Sequence, residues 1–271
     1  MLSQQLVATK IGQIYTEFRK GKNCIVFLSG VGDFSTSDNF QQVLKKMPED
    51  WGYLTVDYPC SGKSPVQDQS EFGVGDYIEA VRSLLQQFQI EDFIMCAHSI
   101  SGVIVLNLAN KAGNPYKGAV LLEPTTSAIL FGGLAEHLYP EFVALEQEIS
   151  EKYGSTFNYL KEMSQSYFNE HDYQLLWQHA SDSACRNEVA RLSGIQELPQ
   201  ISPRDFESQI SEKQPVVIFA QAFRQDEYNR SEYKNHHPLS QVMLGGSSHY
   251  LQWSESEKII ETLGDLLDRA L

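Results

Sequence analysis

The sequence predicts an α/β fold, a doubly wound and mostly parallel sheet with helices on both faces, from three observations. Short apolar runs typical of buried strands alternate with segments whose apolar residues recur at helical spacing. The connections between them are short in residues 1–124, as parallel strand–helix–strand units require. Residues 125–214 then read as helical and aromatic-rich, without a convincing strand. We therefore predict a core domain of residues 1–124 and 215–271, with a helical cap inserted at 125–214.

Each predicted element rests on its own pattern. The clearest helix is 76–88, where Ile78, Val81 and Leu85 fall on one face. The other predicted helices are 40–47, a helix that follows residue 100, the cap helices 135–153, 157–168, 172–179 and 184–192, and a final helix that begins near residue 254. The predicted strands are 6–8, 12–18, 24–28, 53–56, 92–98, 117–122, 215–220 and 239–244.

One apolar stretch, residues 92–106, changes from a strand pattern to a helix pattern at Ser99 without a linker. Ala97, Ser101 and the adjacent glycine are small, so a tight strand-to-helix turn can form there without side-chain clashes. The pattern indicates a nucleophile elbow, a turn that exposes a serine hydroxyl at its apex. The N–H of Ile100 and the amino end of the following helix would face an oxyanion that forms at Ser99.

Two loops that follow predicted strands carry further candidates. Residues 29–32 read Ser-Gly-Val-Gly, and their glycines allow a sharp turn that presents the N–H of Val31 at the carboxyl edge of the sheet. His249 follows a later strand in a Gly-Gly-Ser-Ser-His segment, which is flexible enough to let the imidazole reach over the strand ends. Of the seven histidines, only His249 combines these features. Ligands of such sheets bind outside these strand ends.

Motifs along nearly the whole chain resemble those of the α/β-hydrolase superfamily, in its capped, lipase- and esterase-like branch. Ser-Gly-Val at 29–31 corresponds to the H-G-x loop, and Asp-Tyr-Pro-Cys-Ser-Gly-Lys-Ser at 57–64 to D-x-P-G-x-G-x-S. Ala-His-Ser-Ile-Ser-Gly at 97–102 corresponds to G-H-S-x-G-G, and Gly-Ser-Ser-His at 246–249 to G-x-x-H. The chain departs from these patterns at Ser29, Cys60, Ala97 and Ser101.

The resemblance implies a role for each candidate. Ser99 would be the nucleophile, His249 its general base and then acid, and the N–H groups of Val31 and Ile100 the oxyanion hole. A serine hydroxyl is a weak nucleophile until an imidazole that titrates near neutrality takes its proton. A serine at this position excludes the branches of the superfamily that use an aspartate nucleophile.

The acid of the triad has two candidates. The usual family position follows the strand at 215–220, where this chain has Arg224, with Asp226 about two residues beyond the expected place. The alternative is Glu123, at the carboxyl end of the preceding strand, from which some capped α/β-hydrolases supply their acid. A carboxylate buried there would need a partner such as an imidazolium or Arg224. We expect Glu123 to be the acid and keep Asp226 as the alternative.

Composition argues against several classes of partner. A net charge of −14 and a pI near 4.9 oppose binding to nucleic acid. The sequence has no apolar run of about 18 residues, the length that spans a membrane, and no secretion signal at the amino terminus. The four cysteines lack metal-ligand spacing. We therefore expect a cytoplasmic protein that binds a small-molecule substrate and needs no metal and no cofactor.

The expected function is a serine hydrolase that cleaves a carboxylic ester of a small or medium acyl substrate through an acyl-enzyme. The same fold and triad could serve an aminopeptidase, a carbon–carbon hydrolase, a lactonase or a lyase, and the fold alone could serve a ligand-binding protein without turnover. The sequence identifies neither the substrate nor the oligomeric state. Four aromatic residues of the predicted cap are candidates to line a pocket, namely Phe131, Tyr139, Phe168 and Trp177.

Overall fold

A single mixed sheet of eight strands organises the molecule. The computed structural model describes residues 2–30, 32–66, 71–109, 116–132, 140–192, 199–208, 210, 213–235 and 239–270. The strands are β1 Leu2–Thr9, β2 Gly12–Arg19, β3 Cys24–Leu28, β4 Gly52–Val56, β5 Phe93–His98, β6 Tyr116–Leu122, β7 Val216–Ala220 and β8 Gln241–Leu244. Their spatial order is β1-β2-β4-β3-β5-β6-β7-β8. β2 is antiparallel to β1 and β4, and all other neighbours are parallel, which confirms the predicted fold class.

Helices cover the sheet and fill the interval between β6 and β7. They are α1 Thr36–Asn39, α2 Gln41–Leu44, α3 Val74–Gln87, α4 Ser101–Ala109, α5 Ser127–Phe131, α6 Pro140–Glu148, α7 Thr156–Ser164, α8 Glu170–Leu192, α9 Gln225–Asn229, α10 Leu251–Ser254 and α11 Ser256–Ala270. A π-helical turn, Ile149–Tyr153, extends α6, and 3₁₀ turns occur at Pro203–Phe206 and Ala222–Arg224. None of the described helices is both long and apolar enough to cross a membrane.

The two faces of the sheet have separate cores, which explains the uninterrupted apolar runs of the parallel strands. In β3, Val26 and Leu28 pack on the face covered by α3 and α4, and Ile25 and Phe27 pack on the opposite face against α11. Because side chains alternate between faces, a strand buried on both sides must be apolar at every position. Because these strands are parallel, the carboxyl ends of β3, β5, β6 and β7 lie along one edge of the sheet.

Several helices differ from the prediction in their bounds, among them 40–47, which is helical only at Gln41–Leu44, and 157–168, which ends at Ser164. Residues 172–192, predicted as two helices, belong to the single helix α8. Within it, the Ser181 hydroxyl donates to the carbonyl of Trp177, one turn earlier, at 2.7 Å. The last helix begins at Ser256 and not near residue 254, since Ser254 ends the short helix α10.

Candidate active site

Ser99 lies at the apex of the turn that joins β5 to α4. Its φ is 57°, in the left-handed region that costs a residue with a side chain on the order of 1–3 kcal/mol. The turn is held by backbone hydrogen bonds: the Ser99 N–H donates to Leu122 O at 3.0 Å, and the Ser99 carbonyl accepts from Gly102 and Thr125, each at 3.0 Å. The Ser99 residue is half-buried. The geometry of a nucleophile elbow is thus present, as the flanking small residues predicted.

Two glycines let neighbouring backbone approach this turn. A Cβ on Gly30 would lie 2.7 Å from the Cβ of Ser99, and a Cβ on Gly102 would lie 2.6 Å from the Cβ of Pro124. Atoms in proteins do not pack that closely, so any side chain at either position would displace the turn. Gly30 therefore brings the loop that follows β3 directly against Ser99.

Two backbone N–H groups, those of Ile100 and Val31, are predicted to bind an oxyanion, and the structure describes only the first. Within the described part of the chain, the N–H of Ile100 has no hydrogen-bond acceptor, as a donor kept for a ligand requires. Val31, the other predicted donor, lies outside the described residues. Ser29, two residues before Val31, is held by two hydrogen bonds: the Ser101 hydroxyl donates to Ser29 O, and the Asn39 side-chain amide donates to Ser29 Oγ at 2.6 Å.

Glu123 meets His249 beside this turn. The Nδ1 atom of His249 lies 3.5 Å from Oε2 of Glu123. The carboxylate is completely buried, whereas the imidazole side chain is 41% exposed. Glu123 directly follows β6 and has a φ of 46°, so this residue, like Ser99, holds a left-handed conformation at the end of a central strand. The structure thus brings together Glu123 and His249, the two residues expected to form the acid–base pair.

Three further donors fix the Glu123 carboxylate. The Gln221 backbone N–H donates to Oε1 at 2.7 Å, and its side-chain amide donates to Oε2 at 3.3 Å. Arg224 donates from Nη1 to Oε2 at 2.6 Å. Burial alone would raise the pKa of Glu123, but the interaction with His249 and the charge of Arg224 lower this pKa to about 2. Glu123 is therefore a carboxylate at neutral pH.

Asp226, the alternative acid, is placed differently. It lies in α9 with an exposed side chain, and none of the contacts between described residues joins it to His249. The position nearest to the usual family acid is instead taken by Arg224, which contacts Glu123. The geometry therefore favours Glu123 over Asp226 as the partner of the imidazole.

His98, which precedes Ser99, contacts the backbone and the ring of His249, and it was assigned no role from the sequence. Its Nε2 lies 3.0 Å from the backbone carbonyl of His249, and the two rings are 4.6 Å apart. Since a carbonyl only accepts hydrogen bonds, Nε2 of His98 carries the proton. Burial holds the pKa of His98 well below its usual range, so this histidine is neutral. The only sequence signal was its place inside the elbow motif.

Aromatic residues from the predicted cap pack beside the site. Trp177 of α8 meets Phe34 edge-on at 5.3 Å, and Phe168 meets Trp253 at 5.6 Å. Phe34 also contacts Tyr250, the neighbour of His249, at 5.9 Å. Phe168 and Trp177 are buried, so they belong to a core that joins the helical interval to the loops of the site.

The remaining two aromatic candidates have other positions. Phe131 is 47% exposed and packs edge-on against Phe206 at 5.9 Å, and Tyr139 lies outside the described residues. Among the described residues there is also no group of three or more histidines, cysteines or carboxylates arranged to hold a metal ion.

Comparisons with known proteins agree with this architecture. The sequence model of the alpha/beta hydrolase family matches residues 25–262. The crystal structure of Smu.1393c from Streptococcus mutans covers 99% of this chain and 98% of its own, with a TM-score of 0.91 and 37% identity. Naproxen esterase from Bacillus subtilis superposes with a TM-score of 0.68 over 98% of this chain and 92% of its own, and its 11% identity shows the fold alone.

A curated relative matches only in part. The probable lysophospholipase BODYGUARD 1 of Arabidopsis thaliana is 29% identical over 109 residues, which are 39% of this chain. That match spans 23% of the relative's own length, less than a quarter. The family match, in contrast, covers most of the chain and all of the predicted site. This chain belongs to the alpha/beta hydrolase family.

Proposed function

We propose that this protein is a serine hydrolase in which Ser99, His249 and Glu123 form a catalytic triad. One observation carries the proposal: Glu123 and His249 form a pair beside the turn that bears Ser99. Ser99 stands in a strained elbow, Gly30 packs against its Cβ, and a buried carboxylate lies 3.5 Å from the imidazole. Backbone strain in two adjacent turns is typical of a site that holds groups for a reaction.

The proposed reaction begins when the Ser99 hydroxyl attacks the carbonyl carbon of an ester. His249 takes the hydroxyl proton as the bond forms, and Glu123 stabilises the resulting imidazolium through Nδ1. The tetrahedral intermediate collapses, His249 gives the proton to the leaving alcohol, and an acyl-enzyme remains on Ser99. Water then attacks the acyl-enzyme by the same sequence and releases the carboxylic acid.

The negative oxygen of each tetrahedral intermediate needs donors that are already in place. In this proposal they are the N–H of Ile100, which has no acceptor within the described residues, and the N–H of Val31. Loss of one such donor in other hydrolases slows turnover by roughly a hundredfold to a thousandfold. The fixed position of Ser29, the residue two before Val31, supports this assignment.

We further propose that residues 125–214 form a cap over this site and limit the size of the acyl group. The interval contains the helices α5 to α8, and its aromatic residues Phe168 and Trp177 pack on loops of the site. We expect the substrate to be an ester of a small or medium acyl chain, and the name of the Arabidopsis relative, a probable lysophospholipase, also denotes hydrolysis of an acyl ester. A cytoplasmic location is part of the proposal, and it is supported by four cysteines that form no disulfide.

Purified protein should be tested against a panel of chromogenic esters of increasing acyl length, beside labelling with a fluorophosphonate. The proposal predicts turnover with a preference for short or medium chains, and one covalent adduct per chain. Labelling without ester turnover would point to an amide, lactone or carbon–carbon substrate. If the protein shows no labelling and no turnover, the proposal is contradicted and a ligand-binding protein is favoured.

A further inference from the structure

Behind the proposed catalytic acid, two carboxylates lie on either side of one guanidinium. Arg224 donates from Nη1 to Glu123 at 2.6 Å. With its other edge it donates from Nε to Glu227 Oε2 at 2.9 Å and from Nη2 to Glu227 Oε1 at 2.8 Å. Glu227 accepts a further hydrogen bond from the Thr126 hydroxyl at 2.5 Å. The order of charged groups away from the imidazole is therefore acid, base, acid.

All three charged side chains are buried, so their net charge acts strongly on the nearby imidazole. The exposed fractions of the side chains are 0% for Glu123, 4% for Arg224 and 3% for Glu227. Charges that are shielded from water interact strongly, and a buried carboxylate paired one-to-one with a guanidinium has little negative potential left for a second cation. With Glu227 included, the three side chains sum to a single negative charge. That charge matches the one positive charge that His249 acquires during the proposed reaction.

Arg224 pairs more strongly with Glu227 than with Glu123, because its hydrogen bonds to the two carboxylates differ. Glu227 receives both parallel N–H groups of the guanidinium fork, the stronger arrangement, whereas Glu123 receives one N–H on the oxygen that also faces His249. Arg224 is thus compensated mainly by Glu227. Glu123 gains a fixed orientation from Arg224 and keeps most of its own charge for the imidazole.

We propose that Arg224 and Glu227 are a pair of positioning residues, in which Arg224 orients Glu123 and Glu227 offsets the charge of Arg224 so that Glu123 can stabilise protonated His249. This inference rests on the proposed triad. It predicts that the two residues influence the protonation of His249 in opposite directions. A purely structural role for the pair, such as anchoring the turn after β7, predicts no such opposition.

Other titratable groups face these residues but do not change in the test. His249 also faces His98, which burial keeps neutral, and Tyr250, whose pKa burial raises; Asp33 in turn acts on Tyr250. Around Arg224 lie two tyrosines and a carboxylate, namely Tyr228, Tyr233 and Glu232. Burial raises the pKa of all three groups. Their contributions are common to the wild type, Glu227→Gln and Arg224→Met.

The test measures the pKa of the His249 imidazole by NMR titration in the wild type, Glu227→Gln and Arg224→Met, with His249→Asn to assign the resonance. Glu227→Gln removes the carboxylate that offsets the charge of Arg224, so the imidazole pKa should fall by about one unit. Arg224→Met removes the cation, so the same pKa should rise by about one unit. Tyr228→Phe, which loses only a hydrogen bond to Pro124 O, should leave it unchanged.

Shifts in the same direction for both charge variants, or no shift in Glu227→Gln, would overturn the proposal. Glu227→Gln preserves the shape of the side chain and decides the question even if Arg224→Met does not fold. The titration does not require turnover, so it is separate from the test of the proposed function. In an active enzyme, the acidic limb of kcat/KM should move with the same signs, while Arg224→Lys should partly restore the wild-type profile.

Discussion

Glu123 and His249 form one pair, yet their surroundings are opposite. The acid is completely buried and receives donors from Gln221 and Arg224, whereas the imidazole is 41% exposed on a loop after β8. His249 is held mainly through its backbone carbonyl, which accepts from His98. In the proposed triad, this difference makes Glu123 the member with a fixed position and His249 the member that can meet a substrate and exchange protons.

The contacts of the buried Glu123 side chain also explain how a carboxylate can lie at the end of β6. Removal from water costs an unpaired carboxylate a large part of its hydration, and here N–H donors and a guanidinium replace that hydration. Among the described residues, the His249 imidazole has no comparable set of contacts. Mutations at the acid should therefore change chemistry and stability together, and mutations under the histidine should change chemistry more than stability.

The largest effect is expected from neutralising the acid. Glu123→Gln should reduce kcat/KM by on the order of 10³–10⁴-fold, because the imidazole loses both its orientation and the charge that stabilises it. The matched control is Asp226→Asn, which neutralises the exposed carboxylate of α9 and should remain close to the wild type. The reverse ranking of the two variants would transfer the role to Asp226.

The same substitution should alter the acid stability of the fold. The pKa of Glu123 falls from 4.5 to about 2 in the folded protein. A lowered folded pKa contributes stability that is present above about 4.5 and lost as the pH falls through about 2. Over that window the difference in unfolding free energy between wild type and Glu123→Gln should shrink by on the order of 3 kcal/mol, as urea titrations can measure. A difference independent of pH would contradict the assigned pKa.

At the exposed end, the support from His98 should matter by a smaller amount. His98→Leu leaves the His249 carbonyl without its donor, so kcat should fall by roughly tenfold to a hundredfold, the scale of one lost buried hydrogen bond. His98→Gln places an amide donor near the former Nε2 and should recover much of the loss. Equal activity of both variants would show that the hydrogen bond to the loop does not position the base.

The smallest effect is expected at Gln89, whose left-handed backbone conformation has no proposed role in the site. Gln89 has a φ of 56°, like Ser99 and Glu123, but it is an exposed residue just after α3, where Ile90 N donates to Leu85 O at 2.8 Å. Glycine is the preferred residue at such a helix end. Gln89→Gly should raise the unfolding free energy by about 0.5–1 kcal/mol without changing turnover. A loss of activity would link this helix end to the site.

Much of the fold could be predicted from the sequence, because apolar runs and helical spacing are local. The predicted strand 24–28 coincides with β3, and Ser99 was placed in its turn by the small residues around it. The contact between Glu123 and Arg224 was also foreseeable, since a carboxylate at that strand end required a buried partner. Each of these inferences needed only neighbouring residues or one strong physical cost.

The remaining parts depend on contacts between distant segments. His98 bonds the backbone of a residue 151 positions away, and a backbone carbonyl leaves no trace in the sequence. The fork between Arg224 and Glu227 forms because a 3₁₀ turn leads directly into α9, a boundary that the pattern of apolar residues does not mark.

The most direct test of the proposed triad is to locate the covalent adduct of a fluorophosphonate by peptide mass spectrometry. The account predicts a single modified residue, Ser99, and no adduct in Ser99→Ala, whose circular dichroism and melting temperature should match those of the wild type. Labelling should also slow strongly in Glu123→Gln, because the same imidazole activates the serine toward the probe. An adduct on another serine that persists unchanged in Ser99→Ala would contradict the account.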